Sequence, residues 1–383
     1  MNTPVSPRIP QPEALTPPQP VSDLEQVGTS VWLDDLSRNR IESGNLADVI
    51  ENKGVVGVTT NPAIFAKAMS QGTAYDAQIS ELSEQKVPAS SAVFAMAIDD
   101  VRAACDVFAP IFNATEGKDG RVSLEVDPRL AGDREATVAQ AKDLAGAVER
   151  DNLMVKIPAS EECLPAITDV LSAGISVNVT LIFSVARYRQ VMQAFVDGIK
   201  LAESNGHDIS KIHSVASFFV SRVDSEIDKR LDTIGSDAAN QLKGKAGIAN
   251  ARMAYAAFQD ILVKNPEWKT LEDKGGRIQR PLWASTSVKN PDYPDTMYVT
   301  ELAGPNTVNT MPEDTLDATI DHGEVHDDAL APNVDSAQQI FHDLDEIGID
   351  LCDVWEVLED EGVQKFVDSW DELLQTISLQ LNK

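Results

Sequence analysis

The run Asn152-Leu153-Met154-Val155-Lys156-Ile157-Pro158 decides the fold. It is apolar except for one lysine, and its length suits a buried strand. Alternate residues of a strand face opposite sides. Leu153, Val155 and Ile157 therefore take one face, and Met154 and Lys156 the other. An ammonium is costly to bury unless it is paired or neutralised, and a neutral lysine is a nucleophile toward carbonyls. The plainer reading is a strand-end lysine whose head reaches solvent. The neighbouring runs favour the first reading. In Val122 to Asp127, the face Val122, Leu124, Val126 opposes Ser123, Glu125, Asp127. In Ile175 to Leu181, the valines and Leu181 oppose Ser176, Asn178 and Thr180. In Val55 to Asn61, Val56 and Val58 oppose Gly57, Thr59 and Asn61, and in Ser30 to Asp34, Trp32 and Asp34 share a face.

Each run thus has an apolar face and a face that turns polar toward its C-terminal end, and a helical pattern follows each. An open parallel sheet covered on both sides would show near-continuous apolar runs instead. A closed barrel accounts for the pattern: apolar faces meet outer helices, and polar ends converge at the C-terminal mouth. The chain offers eight strand candidates, at 29–35, 55–61, 121–127, 152–158, 175–183, 213–220, 280–287 and 306–311. That is the count of a (β/α)8 TIM barrel. Helices are expected over Asp133 to Arg150, over Ser184 to Ala202 with Ser184 as N-cap, and within Ser236 to Val263 around Ala249 to Ile261.

The ends lie outside the repeat. The first twenty residues hold seven prolines and no apolar run, which predicts a disordered proline-rich arm over 1–22. The arm lacks the apolar core of a signal peptide. One barrel domain is expected over 23–383, with two or three additional C-terminal helices from about 336 that pack on the barrel or cover its mouth. Ile340, Leu344, Ile347 and Leu351 form their apolar stripe.

Sixty-one acidic against 32 basic residues give a formal charge of −29. Such a field disfavours nucleic acid and anionic membranes as partners, and no segment has the uninterrupted apolar length of a membrane span. Cys105, Cys163 and Cys352 are few and widely spaced, as in a reduced cytoplasm. His322-Gly323-Glu324-Val325-His326 places two histidines four apart, but its glutamate is one place late for a zincin helix and a glycine interrupts it, so no metal is expected. No glycine-rich phosphate loop or dinucleotide fingerprint is present, and no cofactor is expected.

Six segments in order, each at an expected strand end, resemble transaldolases, class I aldolases built on the same barrel. They are Trp32 to Arg38 (WLDDLSR), Gly57 to Pro62 (GVTTNP), Ser123 to Pro128 (SLEVDP), Met154 to Pro158 (MVKIP), Asn178 to Ser184 (NVTLIFS) and Ser217 to Arg222 (SFFVSR). The resemblance implies that Lys156 forms a Schiff base with the C2 carbonyl of a ketose phosphate. It implies that Asp34 takes and returns the proton of the C4 hydroxyl, and that Glu125, with Thr180 and a water, carries protons during imine formation. Asn61 and Asn178 are then suited to the hydroxyls of a bound three-carbon unit, and Ser217 and Arg222 to the phosphate of the sugar substrate.

Many members of the family carry a second arginine after a late strand. Here Lys289 stands nearby as its substitute, with Ser285 as a further lining residue. Fructose-6-phosphate aldolases, the related enzymes that release free dihydroxyacetone, tend to carry tyrosine where this chain has Phe219, so the resemblance favours transfer over release. A barrel that had lost its chemistry would lack Lys156, Asp34 or Glu125, and all three are present. Blander readings remain for some residues: Asp34 as a helix cap, though Ser37 or Asp35 is better placed; Glu125 as a structural partner of Lys156; Thr59 as a strand-end support; Arg222 as a surface arginine. The resemblance implies sugar phosphate substrates and a monomer or homodimer.

Overall fold

The computed structural model describes residues 16–382. Eight parallel strands close in sequence order: β1 Thr29–Leu33, β2 Gly57–Val58, β3 Arg121–Glu125, β4 Leu153–Pro158, β5 Val177–Ile182, β6 Ser214–Phe219, β7 Arg280–Ala284 and β8 Thr307–Met311. All eight fall within the expected ranges. The ring closes through five registered pairs between β1 and β8, from Thr29 with Thr307 to Leu33 with Met311.

The barrel interior follows the parity of the sequence. Trp32, Met154, Val215, Leu282 and Val308 fill it in one apolar cluster, while Val31, Leu33, Val122, Val155 and Val179 join the larger core beneath the helices. Strand β2 is the shortest, and the interior is crowded beside it. A Cβ at Gly57 would lie 2.6 Å from the Trp32 indole, so only glycine fits. Its ladder continues on either side, with the Val56 and Thr59 amides donating to the carbonyls of Val31 and Leu33 at 2.9 Å.

One local expectation needs correction. Parity puts Leu181 with the outward valines. The β5–β6 register shifts between Val179 and Ile182, Leu181 takes φ 60°, and its side chain joins Phe183, Phe219 and Phe366 in the inner cluster. The helix expected within Ser236 to Val263 runs over Ala246–Phe258 and continues as a π turn at Gln259–Val263, with a separate short helix, Asp237–Leu242, before it and Gly244 (φ +68°) between the two.

The proline-rich arm is shorter than its composition implies. A helix runs over Gln19–Val27, with proline in its first turn, where no backbone N–H is needed, and with Val21 and Leu24 buried. The rest of the arm, 1–15, lies outside the described residues. At the other end the tail is two helices, Val334–Glu346 and Leu351–Leu381. The second buries Val354, Leu358, Gly362, Phe366, Trp370, Leu373 and Ile377, a stripe at helical spacing. It lies across the C-terminal mouth. A Cβ at Gly362 would come within 3.0 Å of the Phe183 ring, so glycine allows the close crossing.

Candidate active site

Strand register sets the central group. Glu125 on β3 is the cross-strand partner of Lys156 on β4, and Lys156 is the partner of Asn178 on β5. Lys156 is only 4% exposed and Glu125 6%. The Lys156 Nζ donates to the Thr60 carbonyl at 3.0 Å and lies 3.3 Å from Glu125 Oε2. That ion pair lacks the angle of a hydrogen bond, and neither Glu125 oxygen has a hydrogen-bond partner among the described residues. Burial therefore pushes the Glu125 carboxyl up to about 7, with Lys156 opposing and the charge of Asp34 adding.

Asp34 follows β1, and its amide donates to the Met311 carbonyl at 2.8 Å. Its carboxylate reaches the cavity but is walled in by the barrel. That enclosure raises it above the ordinary carboxylate value, against the pull of Lys156 and a 2.7 Å hydrogen bond from Thr59. Thr59 is also 2.7 Å from Thr310, so it supports the strand end and faces the cavity at once. Ser37, not Asp34, caps the next helix, accepting from the Arg40 amide at 3.2 Å.

These groups open onto a cavity of about 470 Å³. Asp34, Asn61, Lys156, Ser217, Phe219, Arg222, Ser285 and Lys289 all line it. Asn61 caps the helix Pro62–Ser70 through its oxygen, leaving its amide nitrogen for a ligand. Asn178 sits behind the wall with its amide engaged: it donates to Ser123 Oγ at 3.0 Å and accepts from Ser217 Oγ at 2.7 Å. It thus orients Ser217 in this state. Thr180 is also buried outside the lining, and its hydroxyl has no partner among the described residues.

Arg222 is not a surface residue. Its guanidinium lies 5.0 Å over the Phe219 ring and 5.9 Å from Phe366, and its Nη1 is buried without a hydrogen-bond partner among the described residues. Desolvation lowers its pKa, while Asp34 and Glu361 act the other way. Lys289 is exposed on the loop after β7, 3.3 Å from Ser287 Oγ.

Sequence reasoning missed Lys229, Lys365 and Phe366, which also line the cavity. Lys229 follows Arg222 by two turns on the helix Ser221–Ile234, a spacing readable in the sequence. Lys365 and Phe366 arrive on the closing helix, whose docking no local pattern announces. Phe366 lies 5.6 Å from Lys156 Nζ and shields it from water. The two histidines set aside above do not share a helix: Glu313–His322 ends at the first, which is bonded to Asp295 and Asp321 at 2.8 and 3.0 Å. Among the described residues no cluster of histidine, cysteine or acidic side chains is arranged to hold a metal ion, and no helix is long and apolar enough to cross a membrane.

A buried lysine beside a carboxyl that titrates near neutrality, a second enclosed carboxyl and an arginine with a free donor suit imine chemistry on an anionic carbonyl compound. Comparison with known proteins agrees. Residues 31–377 match the model of the transaldolase/fructose-6-phosphate aldolase family. A transaldolase of Mycolicibacterium paratuberculosis is 58% identical over 358 residues, covering 94% of this chain and 96% of that protein. Transaldolases of Mycobacterium tuberculosis H37Rv and Mycolicibacterium smegmatis are each 57% identical over 359 residues, with the same coverage. The chain is therefore an enzyme of the transferase class and belongs to the transaldolase/fructose-6-phosphate aldolase family.

Proposed function

We propose that Lys156 carries a dihydroxyacetone unit as a Schiff base, moving it from sedoheptulose 7-phosphate or fructose 6-phosphate to glyceraldehyde 3-phosphate or erythrose 4-phosphate in the pentose phosphate pathway. The observation that carries this reading is the Lys156–Glu125 pair, buried at 3.3 Å with both carboxylate oxygens unspent. A proton passed from the ammonium to Glu125 frees the amine, which attacks the C2 carbonyl. Glu125, with Thr180 and a water, then returns protons to the carbinolamine oxygen, which leaves as water. Asp34 takes the proton of the C4 hydroxyl, the C3–C4 bond breaks, and its electrons enter the iminium to give an enamine. The aldose leaves, the acceptor aldehyde enters, and the steps reverse.

Asn61 faces the hydroxyls of the three-carbon unit, Asn178 acts toward it through its hydrogen bond with Ser217, and Ser217 stands with Arg222 for the phosphate. Arg222, Lys229, Lys289 and Lys365 ring the mouth for the phosphate. Phe219, Phe183 and Phe366 surround the site with rings, without a hydroxyl to protonate the enamine, which favours transfer over release of free dihydroxyacetone. The buried, unpaired Cys105 and Cys163 fit a reducing cytoplasm. Fractionation would check the location, and sedimentation would decide between monomer and homodimer. The central test is borohydride reduction with fructose 6-phosphate followed by peptide mass spectrometry. A three-carbon adduct on Lys156 alone is expected, and an adduct elsewhere, or none, would end the Schiff-base assignment. With acceptor present, the transfer product should exceed free dihydroxyacetone.

A further inference from the structure

A second cavity, of about 540 Å³, lies at the opposite end of the barrel, among the segments that lead into β3 to β7. Four cations, Arg121, Arg150, Lys211 and Arg277, line it with only two acids, Glu116 and Asp151. In a chain of formal charge −29 this is a local reversal of sign. Arg121 is fully buried, and what holds it is neutral: its Nε donates to the Gly117 carbonyl at 2.7 Å and its Nη1 to the Asp151 carbonyl at 3.0 Å, with the Phe112 ring 4.8 Å away. No carboxylate pairs with it, and its Nη2 has no hydrogen-bond partner among the described residues.

Other polar groups converge on the same place. A Cβ on Gly117 would lie 3.0 Å from Arg121 Nη2 and 3.1 Å from His213 Nε2, so both nitrogens point at one small space that glycine leaves open. The Arg277 Nε is also buried and unpartnered among the described residues, while its Nη2 reaches Glu116 at 3.3 Å. Arg150 is already bonded to Asp106 and stands at the rim.

We propose that this cavity binds a phosphate group, as inorganic phosphate or a small phosphate monoester, separately from the catalytic mouth. A buried guanidinium without a counter-charge is costly, and an anion supplies one. Donors from three directions suit a tetrahedral oxyanion better than a planar carboxylate. Burial and the surrounding arginines push His213 down to about 2, so its imidazole is neutral and can accept the remaining proton of a hydrogen phosphate. Burial and Arg280 likewise push Arg121 down to about 9, and Asp119 and Asp151 only partly offset them. Phe112, Leu153 and Ile175 give the cavity an apolar side for a short carbon chain.

The test is calorimetric titration of the full chain with inorganic phosphate in an Arg222→Ala background, which weakens the catalytic phosphate site. One phosphate per chain should still bind. Adding Lys211→Gln and Arg277→Gln, both outside the core, should weaken that binding at least tenfold. The chain with only those two changes should keep normal transfer activity in phosphate-free buffer, showing that it is folded. Titration with glycerol 3-phosphate separates the sources: tighter binding than inorganic phosphate assigns a monoester, and equal or weaker binding assigns the free ion. Absence of binding in the Arg222→Ala chain, or binding that survives the added substitutions, would overturn the proposal.

Discussion

Asp119 and Glu125 stand six residues apart on one segment, at opposite ends of the barrel interior, each beside a buried cation. Asp119 meets Arg280 at 3.0 Å, and Glu125 meets Lys156 at 3.3 Å. Burial alone would raise both carboxyls. Yet Asp119 is held below its ordinary value, because Arg280 and hydrogen bonds from Trp32 at 3.0 Å and Ser30 at 2.9 Å outweigh desolvation. Glu125 has only Lys156 beside it, at 3.3 Å and poorly aligned, which does not outweigh burial, and it rises to about 7. Hydrogen bonding, more than the presence of a cationic neighbour, separates an ion pair that locks the fold from one whose proton is free to move.

The comparison breaks most visibly at Lys156. Lys156→Met keeps the length of the side chain without its amine. Activity should fall by about 10⁴-fold or more, the scale of losing a covalent nucleophile. The melting temperature should stay within a few degrees, because Glu125 can remain protonated once the opposing charge is gone. Residual activity near the native level would remove Lys156 from the chemistry.

Glu125 supplies the pH test. When both members of the pair are protonated, nothing can take the proton of the ammonium. The value of kcat/KM should therefore decline as pH falls below about 7. Glu125→Gln should lower kcat/KM by roughly 10²- to 10⁴-fold and abolish that bend. Linkage gives the opposite sign in stability. The folded carboxyl titrates near 7 against an ordinary 4.5, so its contribution is full below 4.5 and is lost as pH rises through 7. A rate profile with an unchanged bend near 7 in the variant would assign the proton to another group.

At the other end, Arg280→Met should act on stability and leave turnover alone. It strands the Asp119 charge in the interior with only the Trp32 and Ser30 donors, a loss of about 3–5 kcal/mol in urea unfolding. The folded fraction should keep its kcat. A large fall in kcat without loss of stability would erase the distinction between the two pairs.

Much of this contrast was legible in the sequence, because strand parity is local. The inward positions of Trp32, Asp34, Glu125, Lys156 and Asn178 follow from alternation, and the Ser184 helix cap from residue type. Parity failed at Leu181, where the bulge resets it. Residue type alone set the arm boundary too late, since prolines begin a helix as readily as they prevent one. Lys365 and Phe366 could not be placed, because the helix that carries them meets the barrel through tertiary packing. Asn178 was expected at the ligand, and the structure places it one step behind, through Ser217.

The smallest effect expected lies at the rim, and it tests whether the interior contrast extends to the mouth. Arg222 resembles Glu125: it is enclosed, stacked on Phe219, and has a buried donor with no partner among the described residues. Lys289 is exposed and already turned toward Ser287. An unspent buried donor gains more from a phosphate than a solvated one, because water has already been removed from it. Arg222→Ala should therefore lower kcat/KM for fructose 6-phosphate by about 10- to 150-fold relative to fructose, the range of a charge-assisted contact of roughly 1.5–3 kcal/mol. Lys289→Ala should show the same preference with a smaller loss, because Lys229 and Lys365 share the rim and exposed charges are screened. Measuring both variants on both sugars decides the matter. Equal losses on fructose and its phosphate would mean that these cations hold the closing helix and not the substrate.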